Sequence, residues 1–466
     1  MPQKQKSNNI DMVNGPLFGN IIRYAIPLML TGVLQLLFNA ADLVVVGRYC
    51  GRLSIAAVGA TGAIINLIIN LFIGLSVGVG VTVAVSLGAQ DDDRCSRAVH
   101  TAMPVAVIGG AVLTVVGVLI SRTLLSWMQT PDDVIGLSAL YMRIYFCGMI
   151  PSLVFNYGAA ILRAAGDTKH PLYYLVTAGF INVVLNLFFV IVLKRNVDGV
   201  ALATILSQCV SAFLIVRFLM RTEGAYKLVF RKMHIYGMEL KQIVKIGLPA
   251  GIQSSMFSIS NVIIQSSINS FGSIAMAGNS AAANIEGFTF IAMTAIHQTG
   301  MNFVGQNVGA RRLDRARRVT KDVMFDVFVT GLVLGGLSYL FSHQLLSIYI
   351  PGDASAIAYG RLRMKYLCLP YFLDGMMDVM TGVLRGLGSS LLPMIITVFN
   401  ICVFRVVWIY TIWQVPRFHN LDMLYVTYPI SWILTLTLLL ICYFITMRRR
   451  TREFGDAETR LAESDL

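Results

Sequence analysis

A single spacing organises this chain. Pro27 and Pro249 stand 222 residues apart, and Leu162-Arg163-Ala164-Ala165-Gly166 returns at the same distance as Leu384-Arg385-Gly386-Leu387-Gly388. Pro171 and Pro393 keep the interval, as do Asn39 and Asn261. Gly88-Ala89, Arg94 and Arg97 return at 221 as Gly309-Ala310, Arg315 and Arg318. One offset held across separate segments marks an internal duplication. Whatever the first half folds into, the second half must fold into as well.

The duplicated unit is strongly apolar. Mean hydropathy is +0.70 and only 13% of residues are charged, about half the share of a soluble protein. Apolar stretches long enough to cross a bilayer run over 22–46, 54–87, 101–120, 138–162, 171–193, 199–220, 247–270, 280–308, 322–342, 359–384, 390–413 and 424–447. The fold class is therefore an all-α integral membrane protein with twelve transmembrane helices in two six-helix lobes. Six is even, so both repeats enter from the same side and form a parallel pair. The boundaries are an N-lobe over 1–221, a cytoplasmic connector over 222–246, a C-lobe over 247–447 and a tail over 448–466. The connector is expected to carry a short surface-lying amphipathic helix, and the charged tail is expected to fray. A duplicated apolar chain implies a secondary transporter with its substrate site between the repeats.

The net charge of +13 does not imply nucleic acid. The cations gather in alternate inter-span segments, as Arg231-Lys232, Arg311-Arg312, Arg315, Arg317-Arg318 and Arg448-Arg449-Arg450. That asymmetry places both termini in the cytoplasm. Arg361, Arg363 and Lys365 run against it. Residues 1–20 lack a signal-peptide pattern. The seven cysteines are scattered without metal spacing, there is no Walker loop, and the six histidines form no metal motif. The chain is not expected to be an enzyme, to need a cofactor or to carry a metal motif.

Dense glycines, such as Gly74, Gly78, Gly109 and Gly110, let helices approach closely. Pro27 and Pro249 each bend the first helix of a lobe, as a static kink or as a moving hinge.

Charge within a span is costly and turns toward a cavity or a partner. Four acids stand well inside the spans: Asp42, Glu286, Asp374 and Asp378. Asp374 and Asp378, four apart, share one helix face, which favours retaining a proton or binding a cation between them. The alternative is an internal salt bridge to Arg405 or Arg143. Gln35, Asn39 and Asp42 form one polar stripe on the first helix, which Asn66, Asn70, Asn156, Asn182 and Asn186 could extend. Glu286 lies beside Asn279, Ser280 and Asn284. Phe155, Tyr157, Met256, Phe257 and Met293 are candidates for a cavity that accepts flat apolar cations, with ordinary helix packing as the alternative.

Ala25-Ile26-Pro27, followed by Gln35, Asp42 and Val46-Gly47-Arg48, resembles the multidrug and toxic compound extrusion (MATE) family. So do Ala57-Val58-Gly59, Leu162-Arg163-Ala164-Ala165-Gly166-Asp167 and its second copy at 384–388. The resemblance covers nearly the whole chain. It implies two six-helix lobes around a V-shaped central cavity, and efflux of organic cations driven by entry of H+ or Na+. Asp42 is similar to the first-helix aspartate of the DinF-like branch. The Asn-x-x-x-Asp run of that branch is here Asn182-Val183-Val184-Leu185-Asn186, so the second carboxylate is an amide. Asp374 matches the tenth-helix aspartate of the NorM-like branch, whose seventh-helix glutamate is here Phe257. Neither template is complete.

The resulting expectation is a multidrug antiporter of the prokaryotic inner (plasma) membrane, functional as a monomer, exporting amphipathic organic cations by rocking its lobes. Coupling is assigned to Asp42 with Asn39, Gln35, Asn182 and Asn186. A second-lobe cation or substrate site falls to Asp374, Asp378 and Glu286, and Na+ could bind near Asp42 or Asp374. The rival reading is a flippase of lipid-linked sugar precursors.

Overall fold

In a computed structural model the described residues, 9–128 and 130–464, build helices joined by turns, with no strand among them. The first repeat comprises α1 (Leu17–Val45), α2 (Arg52–Gly88), α3 (Asp92–Trp127), α4 (Asp132–Cys147), α5 (Met149–Ala164), α6 (Lys169–Leu187) and α7 (Val197–Arg221). The second comprises α8 (Gly237–Asn269), α9 (Ser273–Gly309), α10 (Leu313–Leu340), α11 (Ser342–Tyr349), α12 (Ala354–Leu367) and α13 (Tyr371–Gly386). It closes with α14 (Leu391–Thr397), α15 (Phe404–Tyr410), α16 (Leu421–Tyr425) and α17 (Thr427–Ser464).

Eight helical spans are long and apolar enough to cross a membrane, and two bent pairs, α4–α5 and α12–α13, raise the number to ten. The two other expected spans are helical as α8 and α9, with 33 and 37 residues. Their Ser, Asn and Gln content leaves them less apolar than the rest. The fourth and tenth spans are not single helices as expected. Each breaks by 49°, at Gly148 and next to Pro370, positions that are 222 apart. Glycine weakens a helix and proline lacks the donor to continue one.

The duplication extends to the backbone. Gly51 and Gly272 have φ of 87° and 90°, Gly166 and Gly388 have 91° and 84°, and Gln90 and Arg311 have 55° and 56°. Each pair keeps the 221 or 222 offset. Left-handed backbone is costly for most residues, so a match at these turns marks a shared local fold.

The chain forms two compact units, and neither is a contiguous half. One holds Ile26–Ser255; the other holds Met12–Ala25 together with Met256–Leu466. The start of α1 therefore belongs with the second repeat, and the start of α8 with the first. Within the first unit α8 packs on α2 through glycines: a Cβ on Gly74 would meet the Gly251 nitrogen at 2.2 Å, and one on Gly78 the Ile243 carbonyl at 2.1 Å. Arg94 donates to Gln242 at 2.5 Å and Arg97 to Glu239 at 2.8 Å. In the second unit the repeated Arg315 donates to the carbonyls of Met12 and Gly15. Asn307 reaches Met12 at 3.0 Å, and Asn302 reaches the Tyr24 hydroxyl at 2.9 Å. The arginines repeated at 94 and 315 thus have parallel tasks: Arg94 holds the first turns of α8, and Arg315 holds the segment that leads into α1.

Two expectations for the joining segments are corrected. The connector carries only a three-residue 3-10 turn, Phe230–Lys232, and α8 already begins at Gly237. Its backbone donors are satisfied by α3 side chains instead, Val229 by His100 Nε2 at 3.0 Å and Tyr236 by the Thr101 hydroxyl at 3.1 Å. The tail does not fray at 448, because α17 continues to Ser464. Glu453 accepts from Arg449 at 2.9 Å and from Arg450 at 3.1 Å, and Arg450 also donates to the Leu387 carbonyl at 2.9 Å. These contacts hold the basic turn of α17 in place.

Candidate functional site

In the first unit α1 places Asp42 beside α6. Asn186 Nδ2 donates to the Asp42 carboxylate at 2.5 Å and to Asn182 Oδ1 at 3.2 Å, and Asn182 reaches the Thr204 hydroxyl at 3.5 Å. Asn182 and Asn186 are one helical turn apart on one face of α6, so Asn182 supports the amide that meets the carboxylate. Both amides are buried, and the Oδ1 of Asn186 has no hydrogen-bond partner among the described residues. No cationic side chain forms an ion pair with Asp42 among the described residues. The cluster is a carboxylate with amides and a spare acceptor, the donor set of a proton or a small hard cation. Gln35 and Asn39 share the α1 stripe but are exposed and make no hydrogen bond to Asp42. Asn66 is exposed, and Asn156 turns back to the Ser152 carbonyl at 2.9 Å, so neither joins the cluster.

In the second unit α13 carries Asp374 and Asp378 on one face, as their spacing requires. His297 of α9 meets Asp378: its Nδ1 lies 3.2 Å from the carboxylate and 2.7 Å from the Asp378 main-chain carbonyl. Gly382 permits this approach, since a Cβ there would lie 2.8 Å from the His297 carbonyl and 3.2 Å from its ring. Arg385, seven residues beyond Asp378 on the same helix face, is buried. Neither arginine considered from the sequence closes a salt bridge here. Arg405 donates to Ser431 at 2.9 Å and lies 4.0 Å over the Tyr428 ring, and Arg143 is exposed. No hydrogen bond or ion pair reaches the Asp374 carboxylate among the described residues.

Glu286 does not offer a free carboxylate to a cation or substrate. Arg363 holds both its oxygens, at 2.9 and 2.7 Å. Asn279 accepts from Arg363 at 2.7 Å and from the Tyr425 hydroxyl at 3.2 Å, and donates to Gln265 at 2.8 Å. Arg363, which runs against the charge asymmetry of the loops, is thus the ion-pair partner of a buried intramembrane acid.

Of the expected cavity residues, Tyr157 is fully buried in the first unit's core, with its hydroxyl 3.3 Å from the Phe72 carbonyl. Met293 is packed against Gly331 and Gly375. Phe155, Met256 and Phe257 are half-buried. Sequence reasoning missed His297, whose signal was a histidine inside a span that also has to pack near unpaired acids. It also missed Asp322 and Asp326 on α10, one turn apart; Asp326 Oδ2 is buried without a partner among the described residues. No group of three or more His, Cys, Asp or Glu gathers at metal-binding distance among the described residues.

A family model described as MatE matches residues 27–188 and again 249–411, once in each repeat. The probable multidrug resistance protein YoeA of Bacillus subtilis (strain 168) is 27% identical over 81% of this chain and 83% of its own. The probable multidrug resistance protein NorM of Thermotoga maritima is 25% identical over 82% of each. Among solved structures, the outward-facing conformation of a multidrug resistance MATE family transporter of the MOP superfamily aligns with a TM-score of 0.89. It does so at 22% identity, over 95% of this chain and 99% of that one. A MOP superfamily transporter from Pyrococcus furiosus, described by the reverse polarity of its binding pocket, aligns at 0.88 and 22% identity over 96% and 99%. At that identity the structural likeness speaks to the fold alone.

Proposed function

This chain belongs to the MatE family of multidrug efflux transporters, and from that premise we propose that it is an antiporter exporting amphipathic organic cations in exchange for H+ or Na+. The observation that carries the coupling is Asp42: a carboxylate within a membrane span, held by Asn186, which Asn182 supports in turn, and matched by no cationic side chain among the described residues. An unneutralised acid within a span is costly, so a proton or cation is the natural countercharge. Its arrival and departure would alter the hydrogen bonding between α1 and α6, and in the proposed cycle that change accompanies rocking between inward and outward states. Asp374 and Asp378 supply the second-lobe carboxylates, with Asp378 held by His297 and Asp374 left for a cation or for the charged substrate. The protein works as a monomer in the plasma membrane with both termini in the cytoplasm.

The test is ethidium efflux from liposomes containing the purified protein, with proton and sodium gradients imposed separately. Efflux under one gradient that disappears in Asp42→Asn supports the reading. Undiminished coupled efflux in that variant overturns the assignment of Asp42, and absence of efflux under both gradients overturns cation-coupled export.

A further inference from the structure

Between the charged ends of α10 and α17 lies a groove of about 510 Å³, with the buried Met380 of α13 beneath it. Arg317, Lys321 and Arg448 form its rim; Met324, Met380 and Phe444 lie further along the spans. Along α10 the lining changes from Arg317 to Met324, and along α17 from Arg448 to Leu440. Seven or eight residues make each gradient about 11 Å long. Both helices belong to candidate membrane spans, so the transition from charge to hydrocarbon falls where a lipid headgroup gives way to its acyl chains.

The charges of this rim are poorly compensated. Lys321 and Arg448 have no ion pair among the described residues, whereas the neighbouring Arg449 and Arg450 share Glu453. Arg317 has one carboxylate partner, Asp314, at 3.3 Å, and that carboxylate is 91% exposed. Arg317 is also held by Thr451 at 3.0 Å, which fixes its direction. No carboxylate lines the groove among the described residues. Topological bias alone accounts for cations near this end; it does not account for their convergence from two helices on a concave, apolar-floored surface.

We propose that this groove is a seat for an anionic phospholipid, its phosphodiester among Arg317, Lys321 and Arg448 and an acyl chain on Met324 and Phe444. The charge complementarity selects an anionic headgroup, and the methionine floor suits a flexible chain.

Native mass spectrometry of the purified full-length protein in detergent tests this with phosphatidylglycerol and phosphatidylcholine of matched acyl chains. The comparison variants are Arg317→Gln/Lys321→Gln/Arg448→Gln and an equally discharged control, Arg231→Gln/Lys232→Gln/Lys241→Gln. Each cation near an anionic headgroup contributes about fivefold, so the groove variant is expected to lose at least about tenfold in preference for phosphatidylglycerol, and the control much less. If the groove variant misfolds, Met324→Trp, which fills the floor and keeps all three charges, is expected to reduce retained phosphatidylglycerol. Equal retention of both lipids by the wild type, or equal losses in groove and control variants, overturns the proposal. So does unchanged retention in Met324→Trp. Displacement of the lipid by millimolar inorganic phosphate would assign the rim to a free anion and overturn the lipid seat.

Discussion

His297 and Asp378 are joined twice, the imidazole Nδ1 standing 2.7 Å from the aspartate's main-chain carbonyl and 3.2 Å from its carboxylate. A carbonyl only accepts, so Nδ1 carries a proton and donates. The pair fixes the rotation of α13 against α9 as well as holding a charge.

His297→Ala removes the donor from a largely buried carboxylate and is expected to cost about 1–3 kcal/mol, read as lowered thermal stability in detergent. Asp378→Asn on the same background is expected to recover part of that loss. A double-mutant cycle with a coupling below about 0.5 kcal/mol would show that the two side chains do not act together.

Glu286→Gln leaves Arg363 charged in the interior and is expected to destabilise the protein by about 3–5 kcal/mol. Glu286→Gln combined with Arg363→Met removes both charges and is expected to be the more stable of the two variants. Unfolding of the single and double variants at the same temperature contradicts an energetically coupled pair.

Gly335 and Gly336 are neighbours with opposite expected tolerances. A Cβ on Gly335 would stand 2.1 Å from the Cys368 carbonyl, while one on Gly336 meets nothing within 4 Å. Gly335→Ala is expected to lose about 1–3 kcal/mol through forced backbone movement. Gly336→Ala is expected to be neutral or to gain up to about 1 kcal/mol from helix propensity. Parallel melting curves compare the two directly, and equal behaviour contradicts the α10 register.

Asn186→Ala removes a hydrogen bond to a charged group, worth about 1.5–3 kcal/mol. Under the proposed coupling, the concentration of H+ or Na+ needed for half-maximal efflux is expected to shift by roughly tenfold or more, since about 1.4 kcal/mol is tenfold. Asn186→Asp adds a second neutralisable group and is expected to steepen the dependence on the coupling ion. Efflux curves unchanged in both variants would separate Asn186 from coupling.

Much of the fold could be read from offset and hydropathy, because both are properties of long segments. The joint between repeats could not. The connector looked like the boundary between lobes, yet the exchange of helix starts depends on tertiary partners such as Arg94–Gln242 and Asn307–Met12, which no local pattern encodes. Within the site, Asp42 and the Asn182/Asn186 pair stood out because polarity in a span is rare, and their spacing put the amides on one face. Partners supplied by distant elements stayed hidden: His297 was set aside for want of a metal motif, and Arg363 was counted as a loop charge. Asp326 was overlooked in a span whose beginning is rich in charge.

The traded beginnings of α1 and α8 bear on ancestry. A protein made of one repeat would have lacked, within itself, the segment that Arg94 or Arg315 now clamps. Its own first helix would have had to lend that segment to another molecule. Two copies lending reciprocally satisfy both needs at once, which is the logic of a domain-swapped dimer. Neither repeat is therefore complete without the other, and the chain connection keeps each beside the segment that it receives.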